Sequence, residues 1–433
     1  MFHARALLRG ILGSVLAGLL VASALPASAE ARKLQFWHVM TGANAEALEE
    51  IVNRFNQANE DCAVELVYQG HYRDLFAKLE GAAKAGSLPH LAMIYNNRLI
   101  SYVKNGFVDP MEPMLFDAGN GFSEEAWADI PAFLRDGSVW DDKHYALPFN
   151  KEGFLLFYNK KMLADKGITP PTTWDELRAA AEALTGKVGD KDVVGLALNN
   201  SVAIDGSFWV EQAGGHIYDE AADRITFNEE PGVKAYEFLV SMIRKGHANI
   251  VREEKYMFGP FGRGEAAMGI TYMSQLPNII ELCAANGVEF GSVELPKGVR
   301  KACMFTGTNV AIFNTVPEIE RRDAFRFLRF FLTPEIQSLW GTRSGCLPLS
   351  WKVLNSREFH EFAEKENPAK LAILPSFEYG FSDPKILNGY AIHDNMSKAL
   401  DAILLENVPV KEALDKAADQ AWKEIQESRK SFN

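Results

Sequence analysis

The chain has 433 residues, a formal charge of −12 and a composition that is 47% hydrophobic and 24% charged. That length exceeds what one hydrophobic core normally fills, so two lobes are expected. The acidic balance argues against a nucleic-acid surface, which is built from clustered Lys and Arg, and leaves the sign of a small-molecule pocket open.

Arg5 and Arg9 give residues 1–29 a basic start without a single acid, and an apolar run follows from Ile11 to Leu25. Gly13, Ser14, Gly18 and Ser23 interrupt the run, and Pro26 leads into the small-residue site Ala27-Ser28-Ala29. This pattern reads as a cleavable export signal, and the run is short for a membrane anchor. No Cys stands at the cleavage site, so a lipid anchor is not expected. A soluble periplasmic protein is expected, with its charge near −14 once Arg5 and Arg9 are gone.

Behind the signal, Leu34 to Trp37 reads as a strand ending in a polar turn, His38 to Asn44, with Asn44 as cap of an amphipathic helix over 44–58. Val64, Leu66 and Tyr68 alternate as a strand, Asp74 to Ala85 returns to helix, and Leu91 to Tyr95 is a buried strand. The middle repeats the rhythm: strand Phe154 to Tyr158, helix Trp174 to Leu184, strand Val193 to Leu198, helix 231–246 and strand Ala267 to Thr271. A strand over 303–313, a Phe-rich helix over 318–333 and a helical tail from Met396 to Ser428 complete the chain. Strands alternating with helices predict an α/β architecture, each of two lobes a doubly wound sheet with flanking helices. The expected division is 30–147 plus 307–343 for one lobe and 148–306 plus 344–433 for the other.

The four cysteines, Cys62, Cys283, Cys303 and Cys346, allow three sets of two disulfides, and Cys283 with Cys303 is the shortest span. No Cys or His cluster has metal-ligand spacing, so neither a metal nor a cofactor is expected.

Several blocks occur in a telling order: Phe36-Trp-His-Val-Met40, Arg54-Phe-Asn56, Gly70-His-Tyr72, Pro148-Phe-Asn150, Leu156-Phe-Tyr-Asn-Lys160, Pro171-Thr-Thr-Trp-Asp-Glu-Leu177 and Ser344-Gly-Cys-Leu-Pro348. With them the chain resembles the family 1 extracellular solute-binding proteins of ABC importers, and most of all the branch that binds glycerol 3-phosphate. The resemblance implies a two-lobed clamp that closes on a small solute, works as a monomer, has no catalytic residue and hands its cargo to a membrane permease. It also implies site residues. Tyr72 matches the branch's tyrosine. Its acidic residue falls on Asn96, a serine on Glu152, a serine-rich turn on Tyr272 to Ser274, a glycine on Gly307 and a second tyrosine on Cys346. The phosphate-holding arginine falls near Ile386, beside Lys385 and Asn388.

Those departures bear on the ligand. An arginine fork holds phosphate bidentately and a lysine only as a point charge. A carboxylate at Glu152, about 4 Å from a phosphate, would oppose it by about 4 kcal/mol at an effective dielectric near 20. A sugar or polyol fits this residue set better, and a choline ester of glycerol phosphate is a further option, because Glu152 with Tyr72 and Tyr272 could receive an ammonium.

Other residues are open to two readings. His38 either contacts ligand or bonds its own loop, Trp209 either lines the cleft or packs in the core, and Trp37 either stacks on ligand or is core. A secreted hydrolase of sugars or phosphate esters is the alternative class. It would need a carboxylate pair, and the chain carries neither Gly-x-Ser-x-Gly nor His-Glu-x-x-His.

Overall fold

The computed structural model describes residues 31–201 and 206–431. The export signal expected over 1–29 lies outside the described residues. Among the described residues no helix is long and apolar enough to cross a membrane.

One sheet is built from β1 (Arg32–His38), β2 (Cys62–Tyr68), β3 (Leu91–Ile94), β4 (Leu147–Pro148) and β10 (Asn309–Ile312), in the order β2-β1-β3-β10-β4. The second holds β5 (Phe154–Asn159), β6 (Lys191–Asn199), β7 (Ala248–Val251), β8 (Ala266–Tyr272) and β9 (Phe290–Val293), in the order β7-β6-β8-β5-β9. In each sheet three neighbouring strands run parallel; β10 then pairs antiparallel with both β3 and β4, and β5 antiparallel with both β8 and β9. The central parallel strands β3 and β8 are apolar and buried almost throughout, as strands covered on both faces are. In β1 the side chains of Leu34, Phe36 and His38 share one buried face, as a period of two requires. Phe36 meets Phe149 at 5.5 Å and Phe327 at 6.0 Å between ring centroids, and this packing forms the heart of the first lobe.

Local chemistry sets the helix starts. Thr173 and Glu176 form a reciprocal capping box for Trp174–Leu184, and His71 with Asp74 does the same for Tyr72–Ala85. The first helix begins earlier than the sequence reading placed it, at Gly42 behind Thr41. Asn44 caps nothing. Its side chain accepts the Gly345 N–H at 2.7 Å and ties this helix to the Ser344–Pro348 turn.

Three other expectations change. The strand expected over 303–313 is two, Cys303–Met304 and Asn309–Ile312, because the chain turns between them with Gly307 at φ +113°. The tail is likewise two helices, Tyr390–Leu405 and Val410–Ser431, parted by Asn407 at φ +59° and by Pro409. Finally, Cys62, Cys283, Cys303 and Cys346 are all free thiols and all buried, so the Cys283–Cys303 pairing does not form.

Three crossings join the lobes. Phe149–Gly153 runs from β4 to β5, and Met304–Thr308 returns beside it. Glu152 and Thr306 exchange backbone bonds of 3.2 and 2.9 Å, and the Phe149 N–H reaches the Thr308 carbonyl at 3.2 Å. The third crossing comes later than the expected 343/344 boundary. Ser350 and the Lys352 N–H bind the Asp129 carboxylate, and the Lys352 ammonium pairs with Glu125, which holds 350–352 to the first lobe. The chain meets the second lobe again where Ala369–Ala372 packs on β9, and Gly380–Phe381 then pairs with Cys303–Met304.

Candidate functional site

Two of the crossings and the ends of β3 and β8 bring a group of polar and aromatic side chains together between the lobes. Tyr72 opens its helix at the end of β2 and stands 4.9 Å from Tyr95, which follows the last residue of β3. Its hydroxyl lies within reach of the Asn150 amide and the Tyr95 hydroxyl. Burial raises the phenols of Tyr72 and Tyr95 above their ordinary range, and the Glu152 charge adds to this in both. Open α/β sheets place ligands at such carboxyl ends of strands.

From the second lobe come Glu152, Tyr272 and Ser274. The Ser274 N–H donates to a Glu152 carboxylate oxygen at 2.7 Å. Burial pushes the Glu152 carboxyl above the usual carboxylate range, and the Ser274 bonds offset this only in part. Tyr272 packs at 4.5 Å on Phe154, and its hydroxyl lies 3.3 Å from the Ser201 hydroxyl. Tyr256, stacked at 5.7 Å on Phe258, is near enough for its phenol to affect Tyr95 across the cleft.

Cys346 forms the back of the first-lobe wall. Its thiol is pushed up to about 12, first by burial and then by the Glu152 charge. The turn that carries it is held by the buried ammonium of Lys370, which donates to the carbonyls of Ser344 at 2.8 Å, Cys346 at 3.1 Å and Gly341. Burial lowers Lys370 to about 8.

The structure gathers Tyr72, Glu152, Tyr272 and Ser274 between the lobes, with Gly307 in the adjoining crossing, while His38, Trp209, Asn96 and Asn388 are engaged in contacts of their own. His38 is 5% exposed, and its Nδ1 accepts the Met40 N–H at 3.3 Å. Alternation with Leu34 and Phe36 turns it inward, and burial lowers it to about 4. Trp209 is 2% exposed among Phe208, Trp174 and Phe238, so it is second-lobe core. Asn96 accepts from Asn309 and lines a small cavity with Gly137 and Lys385.

Gly307 sits in the second crossing, where an added Cβ would lie 2.0 Å from the Asn150 carbonyl oxygen. Asn388, at φ +58°, donates to Ser428 at 3.0 Å in the last helix. Ile386, where an anion-binding arginine was expected, is 2% exposed. The sequence reading missed Tyr95, Asn150 and Tyr256 as wall residues. Two signals were present, the strand end at Tyr95 and the Pro-Phe-Asn block that contains Asn150.

Lys151 and Glu152 are adjacent and turn apart. Lys151 is 3% exposed, donates to the Gly307 carbonyl at 3.2 Å and is lowered by burial to about 7. It faces Asp383, which the His393 ring meets at 2.9 Å. Burial opposes ionisation of Asp383, but His393 and Lys151 hold its carboxyl below the usual range.

Residues 50–369 match the model of the bacterial extracellular solute-binding protein family. The sn-glycerol-3-phosphate-binding periplasmic protein of Salmonella typhimurium strain LT2 is 25% identical over 357 residues, covering 78% of this chain and 79% of that one. Among solved structures, the cyclic alpha-maltosyl-1,6-maltose binding protein of Arthrobacter globiformis superposes with a TM-score of 0.78 at 21% identity, over 90% of this chain and 98% of that one. UgpB of Mycobacterium tuberculosis in complex with glycerophosphocholine gives a TM-score of 0.77 at 19% identity, over 90% and 97%. The chain belongs to the bacterial extracellular solute-binding protein family and captures a solute.

Proposed function

We propose that the cleft walled by Tyr72, Tyr95 and Asn150 on one lobe and by Glu152, Tyr272 and Ser274 on the other is the solute site of a monomeric, non-catalytic periplasmic protein. The solute bridges both lobes and stabilises a closed clamp, which the permease recognises. Hydroxyl-rich solutes suit the cleft. Carboxylate, amide and hydroxyl groups bond their hydroxyls, and tyrosine faces cover their apolar surfaces. The observation that carries this reading is the Glu152 carboxylate set among tyrosines, with no arginine or lysine bonded to it among the described residues. Such a wall opposes a phosphate dianion and accepts a sugar or polyol. Glycerophosphodiesters are a second reading, favoured by the same carboxylate where the ester carries an ammonium.

The test is a thermal-shift screen of polyols, mono- and disaccharides, glycerol 3-phosphate and glycerophosphodiesters, since a ligand that binds only the folded state raises the melting temperature by mass action. A shift with a sugar, polyol or diester, abolished by Tyr72→Ala, is expected. A strong shift with glycerol 3-phosphate alone would refute the assignment of ligand class.

A further inference from the structure

Among the described residues Glu152 is the one carboxylate assigned to the cleft wall, and its surroundings are unusual. One oxygen accepts the Ser274 N–H at 2.7 Å. Beyond that bond its neighbours are the phenols of Tyr72 and Tyr95 and the Cys346 thiol, each of which it holds more firmly in the neutral form. No ion pair to Glu152 occurs among the described residues. The two nearby ammonium groups are engaged elsewhere: Lys151 turns to Gly307 and Asp383, and Lys370 lies behind the Cys346 turn, enclosed by three carbonyls.

A carboxylate drawn from water without a counter-charge is costly, and the cost falls when a cation arrives. The aromatic rings nearby supply faces that attract a cation once water has left. Tyr72 and Tyr95 stand 4.9 Å apart on one lobe, and Tyr272 lies on Phe154 on the other. Closing the clamp would bring such rings around a charged group and would exclude water from it. A neutral hydroxyl could accept or donate at Glu152, but it would leave the charge uncompensated.

We propose that the Glu152 end of the cleft is a subsite for an organic cation, so that the preferred solute carries an ammonium group, primary or quaternary, beside its hydroxyls. This rests on the reading of the cleft as the solute site. It assigns Glu152 the role of specificity residue: the carboxylate admits a positively charged group and turns away an anion.

The test pairs cations with neutral twins of the same shape: choline with its neutral carbon isostere, and glucosamine with glucose. Each is titrated calorimetrically into the mature protein near neutral pH. The cationic member of at least one pair should bind about tenfold more tightly or better, and Glu152→Gln should erase that preference, so that the two members of the pair then bind alike. Equal affinities within both pairs, a preference that survives Glu152→Gln, or no binding by either cation at millimolar concentration would each overturn the proposal.

If Glu152→Gln does not fold, the wild-type protein supplies the test. Cation affinity should fall on acidification as the carboxyl takes its proton; the phenols and the thiol keep theirs, while Lys151, lowered to about 7, and Lys370, lowered to about 8, gain protons over the same range from positions turned away from Glu152. A flat acid profile would overturn the subsite. A neutral sugar that binds as tightly as its cationic twin, and is weakened by Tyr72→Ala, would leave the cleft as solute site and remove only the cation. Cation binding indifferent to both Tyr72→Ala and Tyr272→Ala would remove the cleft itself.

Discussion

The turn after β1 and the crossing after β4 present the same question with opposite outcomes. Each is a polar break at the end of a strand in the first lobe, and each carries an ionisable residue that the sequence offered as a ligand contact. At the first, His38 continues the inward face of Leu34 and Phe36, finds the Met40 N–H and is sealed. At the second, the crossing leaves the sheet, and consecutive side chains part: Lys151 turns to the Gly307 carbonyl, while the Glu152 carboxylate turns to the Ser274 N–H. Position at a strand end is thus a weak guide to ligand contact. What decides is whether the next residues still belong to a sheet whose face is already packed.

Several changes would break or sharpen this contrast. The largest effect is expected from Gly307→Ala. The backbone there has φ +113°, and the new Cβ would lie 2.0 Å from a carbonyl oxygen of the partner crossing. A destabilisation of roughly 3–5 kcal/mol is expected in denaturant melts, together with loss of solute-induced stabilisation.

Lys151→Met should act the other way. Burial lowers the folded-state value to about 7 from 10.5, so the unfolded chain takes up the proton first as pH falls. The native state is therefore penalised increasingly from pH 10.5 down to about 7, and by a constant amount below that. Removing the charge should stabilise the protein by on the order of a few kcal/mol near neutrality, with the gain shrinking as pH rises towards 10.5. A gain of equal size at both ends of that range would mean that packing, and not charge, is responsible.

His38 has the same sign in a different window. Its folded value, about 4, lies below the ordinary 6.5, so the stability it protects is complete above 6.5 and is lost as pH falls to about 4. His38→Gln should flatten that acid limb by up to about 3 kcal/mol without changing solute affinity. A loss of affinity would return His38 to the site. The smallest effect is expected from Trp209→Phe. The indole is buried, and its Nε1 has no hydrogen-bond partner among the described residues. The loss should stay near 1–2 kcal/mol in a thermal melt, again with affinity unchanged.

Much of the architecture was legible because it rests on local rules. The period of two in β1, the capping box of Thr173 and Glu176, and the apolar run of β3 each act within a few residues. The merged strand over 303–313 failed where a single glycine reverses the chain, and the tail failed at Asn407 and Pro409, a break whose residues were in plain view. The third crossing depends on Ser350 and Lys352 meeting Asp129, more than 200 residues away in sequence, which no local pattern encodes. The cleft was half legible for the same reason. Tyr72 stood in an ordered block and Glu152 two residues past another, but Tyr95 and Tyr256 become neighbours only through the packing of two lobes.

The central claim is that one solute is held by both lobes at this cleft. The most direct measurement is calorimetric affinity for the best ligand of the thermal-shift screen, in Tyr72→Ala and, separately, in Tyr272→Ala. The account predicts that each substitution, on its own lobe, weakens binding by about tenfold or more, equivalent to about 1.4 kcal/mol, while both variants stay folded. Unchanged affinity in either variant would contradict it.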